Sequence, residues 1–218
     1  MRILLFMAIG AAVAAGLGYW MNRKKKAQAE RNRQKRDLVQ GANVTNDVTR
    51  VGLGGVLKLP AFGANPLGIE TYVKAKHRYD DGGAPWYEFE CEFSGRKLLL
   101  EWERDGAEIY LTAGFDDENP KLEQLGITEE DLIRFDEDEK GSFEWDGAEW
   151  HYDDSSERRY YANDGQQSQG FYGWDFESED ETRYISVEKW EGDRKFYVYH
   201  GWALDAEKVE VFDAGGRS

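Results

Sequence analysis

The chain reads as a mainly β protein built from antiparallel hairpins, preceded by one N-terminal transmembrane helix. Three observations predict this. Residues 3–20 form an uncharged apolar run followed at once by basic residues. From about Val48 onward, apolar and polar residues alternate with period two between turn signals. The chain is also rich in Trp and Tyr and poor in Pro, as suits strands.

Those features divide the 218 residues into three parts: an anchor at 1–21, a basic juxtamembrane helix and linker at 22–46, and an acidic β-rich domain at 47–214. The run ILLFMAIGAAVAAGLGYW spans roughly 27 Å as a helix, close to a hydrocarbon core. Tyr19 and Trp20 close it, where amphipathic rings favour the interface. Arg23, Lys24, Lys25 and Lys26 come next and face lipid head groups. Basic flanks stay on the cytoplasmic side, so the N-terminus lies out and the domain lies in the cytoplasm, on the inner membrane. A cleaved signal peptide is the competing reading, but the strong positive charge follows the apolar run, where it opposes translocation. Gly10, Ala14 and Gly18 share one helix stripe, suited to self-association of two such helices.

Charge is unevenly spread. The overall charge is −15, yet the stretch from Asn22 to Arg36 carries +7 and Arg2 adds +1. The remaining residues therefore carry −23. Such a domain repels nucleic acid and anionic lipid and favours basic protein partners. Cys91 is the sole cysteine, so no intrachain disulfide exists. It alternates with Tyr87, Phe89 and Phe93 and reads as a buried strand residue rather than a nucleophile.

Three hairpins are legible. Asp105-Gly106 centres a turn that would pair Trp102 with Ile109 and Leu100 with Leu111. Asp146-Gly147 centres a second, with Phe143 opposite Trp150. The third turns at Gly192-Asp193 and pairs Val187 with Val198. Val209 and Val211 mark a last strand. Thr128 caps one short helix, with acids in its first turn and an apolar patch of Leu132, Ile133 and Phe135. The hairpins suit a barrel- or sandwich-like domain.

Residues 89–110 align without gaps on 176–197, at an offset of 87: Phe89 on Phe176, Arg96 on Arg183, Glu101 on Glu188, Tyr110 on Tyr197. An internal duplication and the shared alternation of two amphipathic hairpins both account for this.

The chemistry-bearing residues form no known constellation. His77, His151 and His200 are isolated, and no CxxC, Walker-type loop, GxSxG or HExxH is present, so no cofactor and no metal are expected. Asp136 to Gly147 starts like a calcium loop but has Lys140 at position 5 and Gly147 at position 12. Glu101 and Glu188 could do acid–base work if they converged; their place opposite Leu100 and Trp102 reads instead as a rim charge. The best binding candidates are the aromatics Tyr160, Tyr161, Phe171, Tyr172 and Trp174 beside the loop 165–170. Filling the core is the alternative role for those rings.

The run Gly83-Ala84-Pro85-Trp86-Tyr87-Glu88-Phe89 with Leu98-Leu99-Leu100-Glu101, and the later Gly141-Ser142-Phe143 and Ile185-Ser186-Val187-Glu188, resembles domain of unknown function 4178, a bacterial family. The resemblance covers roughly Val51 to Phe212. It implies a mostly β domain in an envelope or membrane-stress setting and transfers no catalytic residue. The sequence thus predicts a membrane-anchored cytoplasmic interaction module. An enzyme with paired carboxylates or a divalent metal, and a structural subunit of a membrane assembly, are the alternatives.

Overall fold

The structure of the protein is a computed structural model, and it describes residues 47–213. The predicted membrane helix, the stripe Gly10/Ala14/Gly18 and the basic Arg23–Lys26 lie outside the described residues. Among the described residues, no helix is long and apolar enough to cross a membrane.

Among the described residues, eleven strands form one antiparallel sheet: β1 (Val56–Leu59), β2 (Ile69–Asp80), β3 (Trp86–Phe93), β4 (Arg96–Asp105), β5 (Glu108–Phe115), β6 (Ser142–Trp145), β7 (Ala148–Tyr161), β8 (Gln169–Ser178), β9 (Arg183–Trp190), β10 (Phe196–Ala203) and β11 (Glu210–Asp213). The spatial order is β11-β1-β2-β3-β4-β5-β10-β9-β8-β7-β6, and β2 also pairs with β7. That extra pairing closes β2, β3, β4, β5, β10, β9, β8 and β7 into a ring, with β1, β11 and β6 as flaps. Closure pairs the ends of the eight-strand ring with each other and leaves β11 and β6 as the edge strands.

Turn chemistry sets most registers. Asp146 and Gly147 both have positive φ, the two-residue turn that matches strand twist, and Phe143 lies opposite Trp150 as predicted. Val187 lies opposite Val198, also as predicted. The β4–β5 hairpin is corrected by two residues. Trp102 pairs with Leu111 and Leu100 with Ala113, because the turn is centred on Gly106-Ala107, leaving Asp105 paired with Glu108. Gly106, at φ +59°, supplies the left-handed residue the turn needs. A shift of two preserves every face assignment.

The helix α1 (Glu129–Asp138) is capped as expected, with Thr128 and Asp131 in a reciprocal capping box. Its buried residues are Leu132 and Phe135; Ile133 is exposed, which corrects the predicted patch. Helical Asp136–Asp138 are incompatible with a calcium loop. The loop at 165–170 is shorter than predicted, since Gln169 and Gly170 already belong to β8.

Two apolar clusters flank the ring. The first joins Phe89, Cys91, Leu98, Leu100, Trp102 and Phe115 to Val48, Leu57 and Val209. The second joins Trp150, Trp174, Phe176, Ile185 and Val187 to Leu132 and Phe135 of α1. Burial confirms the reading of Cys91, and pushes its thiol up to about 12, away from thiolate chemistry.

The two halves of the ring, β2–β5 and β7–β10, are each a four-stranded meander. Residues related by the offset of 87 fall on corresponding strands and on the same face. Their registers differ by two: Phe89 pairs with Leu100, whereas Phe176 pairs with Ile185. Shared topology with an even register shift is what a duplicated unit would keep.

Candidate functional site

The face of the ring opposite those apolar clusters encloses a cavity of about 390 Å³, to which all eight ring strands contribute. Exposed Asp81, Gly83, Ala84, Asp153 and Asp154 line it too, so it opens to solvent at that end. Its lining holds eight carboxylates, Asp81, Glu88, Glu101, Glu103, Asp153, Asp154, Asp175 and Glu188, against the single arginine Arg158.

Strand alternation puts the acids there. On β3 the apolar cluster takes Phe89 and Cys91, leaving Glu88 on the lumen face. On β4 it takes Leu100 and Trp102, leaving Glu101. Glu88 and Glu101 are direct register partners. Like charges placed opposite each other on one face disfavour joint ionisation. Burial, and then Glu101, push the Glu88 carboxyl up to about 8. Enclosure by the surrounding walls, and then Asp175, push Glu101 up to about 7, although its side chain keeps access to the lumen. Glu188 enters from β9 and is only 6% exposed. Its Oε2 accepts a hydrogen bond from Trp190 Nε1 at 2.9 Å. Burial, and then Glu88, hold its carboxyl well above the usual range. Glu101 is thus no rim charge. It is accessible, but to the lumen, and the pattern that places it opposite Leu100 and Trp102 points it inward because the ring closes on that side.

Arg158 is the one arginine of the lining. Its guanidinium donates to both Asp175 oxygens, at 3.1 and 2.5 Å, and through Nε to Ser156 Oγ at 3.0 Å. Gly173 makes room for it: a Cβ there would stand 2.8 Å from Arg158 Cζ. The Arg158 Cζ lies 5.6 Å from the Trp86 ring centroid.

An aromatic wall continues from Trp86. Tyr79 stacks on Trp86 at 5.5 Å and meets Tyr160 and Phe171, and Phe171 stacks on Trp190 at 4.7 Å. Of the five predicted binding aromatics, the structure brings Tyr160 and Phe171 together on this side. Tyr172 and Trp174 pack in the second apolar cluster. Tyr161 lies at the β2–β7 seam with the Arg78 guanidinium 3.7 Å from its ring centre. The five therefore form no single surface. Tyr172 instead donates to Asp136 of α1 at 3.0 Å, within a network that includes Ser155 and Tyr152.

The histidines take separate roles. His77 sits at the seam, where its Nδ1 faces the Tyr160 hydroxyl at 2.9 Å and accepts from the Asn163 backbone N–H at 3.1 Å. Its Nε2 lies 3.3 Å from Glu90 Oε1. Burial lowers its pKa. His200 packs against Trp145, Trp150 and Trp202, and burial, then Arg183, lower it to about 4. His151 is exposed.

Sequence reasoning missed Glu88, Asp175 and Arg158. A signal for two of them was present. The offset of 87 that relates Glu101 to Glu188 also relates Glu88 to Asp175, so the two halves supply matching pairs of acids to one lumen.

Fold and site together define a closed antiparallel domain built around an acidic, aromatic lumen. The chain belongs to the family described as Domain of unknown function (DUF4178), whose model matches residues 67–206. The match starts just before β2 and ends just after β10, so it takes in the whole ring and α1 and omits β1 and β11. No curated protein and no solved structure matches the chain.

Proposed function

We propose that the domain is a small-molecule-binding module whose site is the lumen of the ring, with the ring acting as a barrel around its ligand. The observation that carries this is the cavity itself: about 390 Å³, contributed to by all eight ring strands and open at one end. That volume falls within the roughly 300–1,000 Å³ of small-molecule sites. The setting in this proposal is the inner membrane. Support for it comes from the apolar run 3–20 and its basic flank. A basic protein partner for the acidic exterior, and pairing of anchors through Gly10, Ala14 and Gly18, belong to the same proposal on sequence grounds.

A second reading, acid–base catalysis, is favoured by the carboxyl of Glu101, which is held at about 7. Binding is the stronger reading because the one lumen arginine, the natural stabiliser of developing negative charge, is already committed to Asp175.

The test is native mass spectrometry of the full chain purified from its own membranes, beside Thr112→Trp, which fills the lumen from β5. A small-molecule adduct present in the parent and lost in the folded variant is the expected result. An adduct that survives in the variant, or a parent with no adduct that also binds none of the probes named below, overturns the reading.

A further inference from the structure

We propose that the ligand of the lumen is an organic cation, a protonated amine or quaternary ammonium. This rests on the reading of the lumen as a small-molecule site.

The lining carries eight carboxylates and one arginine, and that arginine is paired with Asp175. An anionic ligand would meet this field with the one arginine of the lining already taken. A neutral ligand would bring no counter-charge to Glu88, Glu101 and Glu188. Glu188 gives the independent observation. It is 94% buried, and only Oε2 is bonded, to Trp190 Nε1. Its Oε1 is left for a donor from the lumen. Once that carboxyl is ionised, Oε1 is an acceptor on the lumen side, and a charged donor stabilises it most. The walls fit as well. Tyr79, Trp86, Tyr184 and Tyr199 line the same space, and aromatic faces attract cations. Arg158, whose Cζ sits 5.6 Å from the Trp86 centroid, shows that this wall already accommodates one.

Acids held this close reduce their mutual repulsion by keeping protons unless a cation stands among them. The groups facing Glu88, Glu101 and Glu188 are His77 and Tyr79 of β2, Glu90 of β3, Lys97 and Glu103 of β4, Asp116 after β5, Arg158 and Tyr160 of β7, Asp175 of β8 and Tyr199 of β10. Among them the fixed cations are Lys97 and Arg158. Lys97 is engaged by Glu90 at 3.1 Å. Cation binding therefore displaces a proton from the glutamate cluster to the buffer, and affinity rises with pH.

The experiment is calorimetric titration of the full chain in detergent with 1,4-diaminobutane, tetramethylammonium, butanol and butyrate. It is run at pH 6 and pH 8, in two buffers of different ionisation enthalpy. Expected are binding of one or both cations, no binding of butanol or butyrate, proton release at pH 7 on binding, and affinity at least tenfold weaker at pH 6. Glu188→Gln and Glu101→Gln each weaken the cation at least tenfold, while Glu129→Gln/Glu130→Gln on the outer helix leaves it unchanged. Thermal melts show that the variants are folded. Butanol or butyrate binding as well as the cations do overturns the inference and leaves the lumen reading standing. So does equal weakening by the outer-helix variant, which reports surface charge alone. If no probe binds and the purified chain carries no adduct, the lumen reading itself fails.

Discussion

At the residue scale, the lumen stores unfavourable electrostatics in identifiable side chains. Glu188 is held well above the ordinary carboxylate value by burial and by Glu88. A carboxyl whose folded pKa is raised costs nothing below the unfolded value. It destabilises increasingly as pH climbs from about 4.5 toward the folded value. Glu188→Gln, which keeps the acceptor for Trp190, is therefore expected to stabilise the free protein at pH 8 by roughly 1–3 kcal/mol, several degrees in Tm, and to change little at pH 4.5. Thermal melts at the two pH values check this; equal effects at both would point to packing instead. His77 has the opposite sign. Its Nδ1 accepts the Asn163 N–H, so the fold demands the neutral ring. A histidine with a lowered folded pKa loses stability as pH falls through about 6.5, where the unfolded chain gains a proton that the fold refuses. His77→Asn, which retains an acceptor, should flatten the acid limb of the stability curve below pH 6.5, read by denaturant midpoints.

At the element scale, two features hold local geometry against clear alternatives. Thr128 closes α1 through its reciprocal bonds with Asp131, at 3.2 Å to the backbone N–H and 2.9 Å back from the side-chain carboxylate. Thr128→Ala is expected to cost about 1 kcal/mol in urea unfolding, with no effect on ligand binding, since α1 packs on the far side of the sheet from the lumen. Gly173 is different in kind. Its backbone is ordinary strand, but the space of its side chain is taken by the Arg158 guanidinium. Gly173→Val should displace Arg158 from Asp175, cost roughly 1–3 kcal/mol and abolish the lumen site. A fall in stability with unchanged ligand affinity would separate the arginine from the site. Both features explain why hairpins were readable and contacts were not. Asp146-Gly147 or Thr128-x-x-Asp131 encode their structure within four residues. Nothing near Gly173 announces the arginine that lies over it from β7.

At the scale of the whole molecule, the ring is two meanders joined at narrow seams. The β2–β7 seam has three register pairs, from Arg78↔Tyr161 to Asp80↔Arg159, and the β5–β10 join has two, Trp202↔Ala113 and Ala203↔Thr112. By comparison, β4 and β5 share eight. Local opening is drawn from regions with the fewest cooperative contacts. Amides at residues 78–80, 159–161, 112–113 and 202–203 should exchange faster than those at the centres of β4 and β9, by hydrogen-exchange mass spectrometry, and a lumen ligand should slow the seams most. Uniform protection around the ring would show that it opens as one unit.

The sequence by itself determined the β class, the three hairpins, the capped helix and the buried thiol. Each is written in local alternation, a two-residue turn or a cap, where the determining atoms lie within a few residues of each other. Only the tertiary structure decided which face of the strands lies inside. Glu101 and Leu100 alternate identically whether the sheet stays open, leaving Glu101 in solvent, or closes, turning it into a lumen. Pairing of β2 with β7 and of β5 with β10 makes that choice, between residues some 80 to 90 positions apart, and period-two patterning carries no information about contacts at that distance.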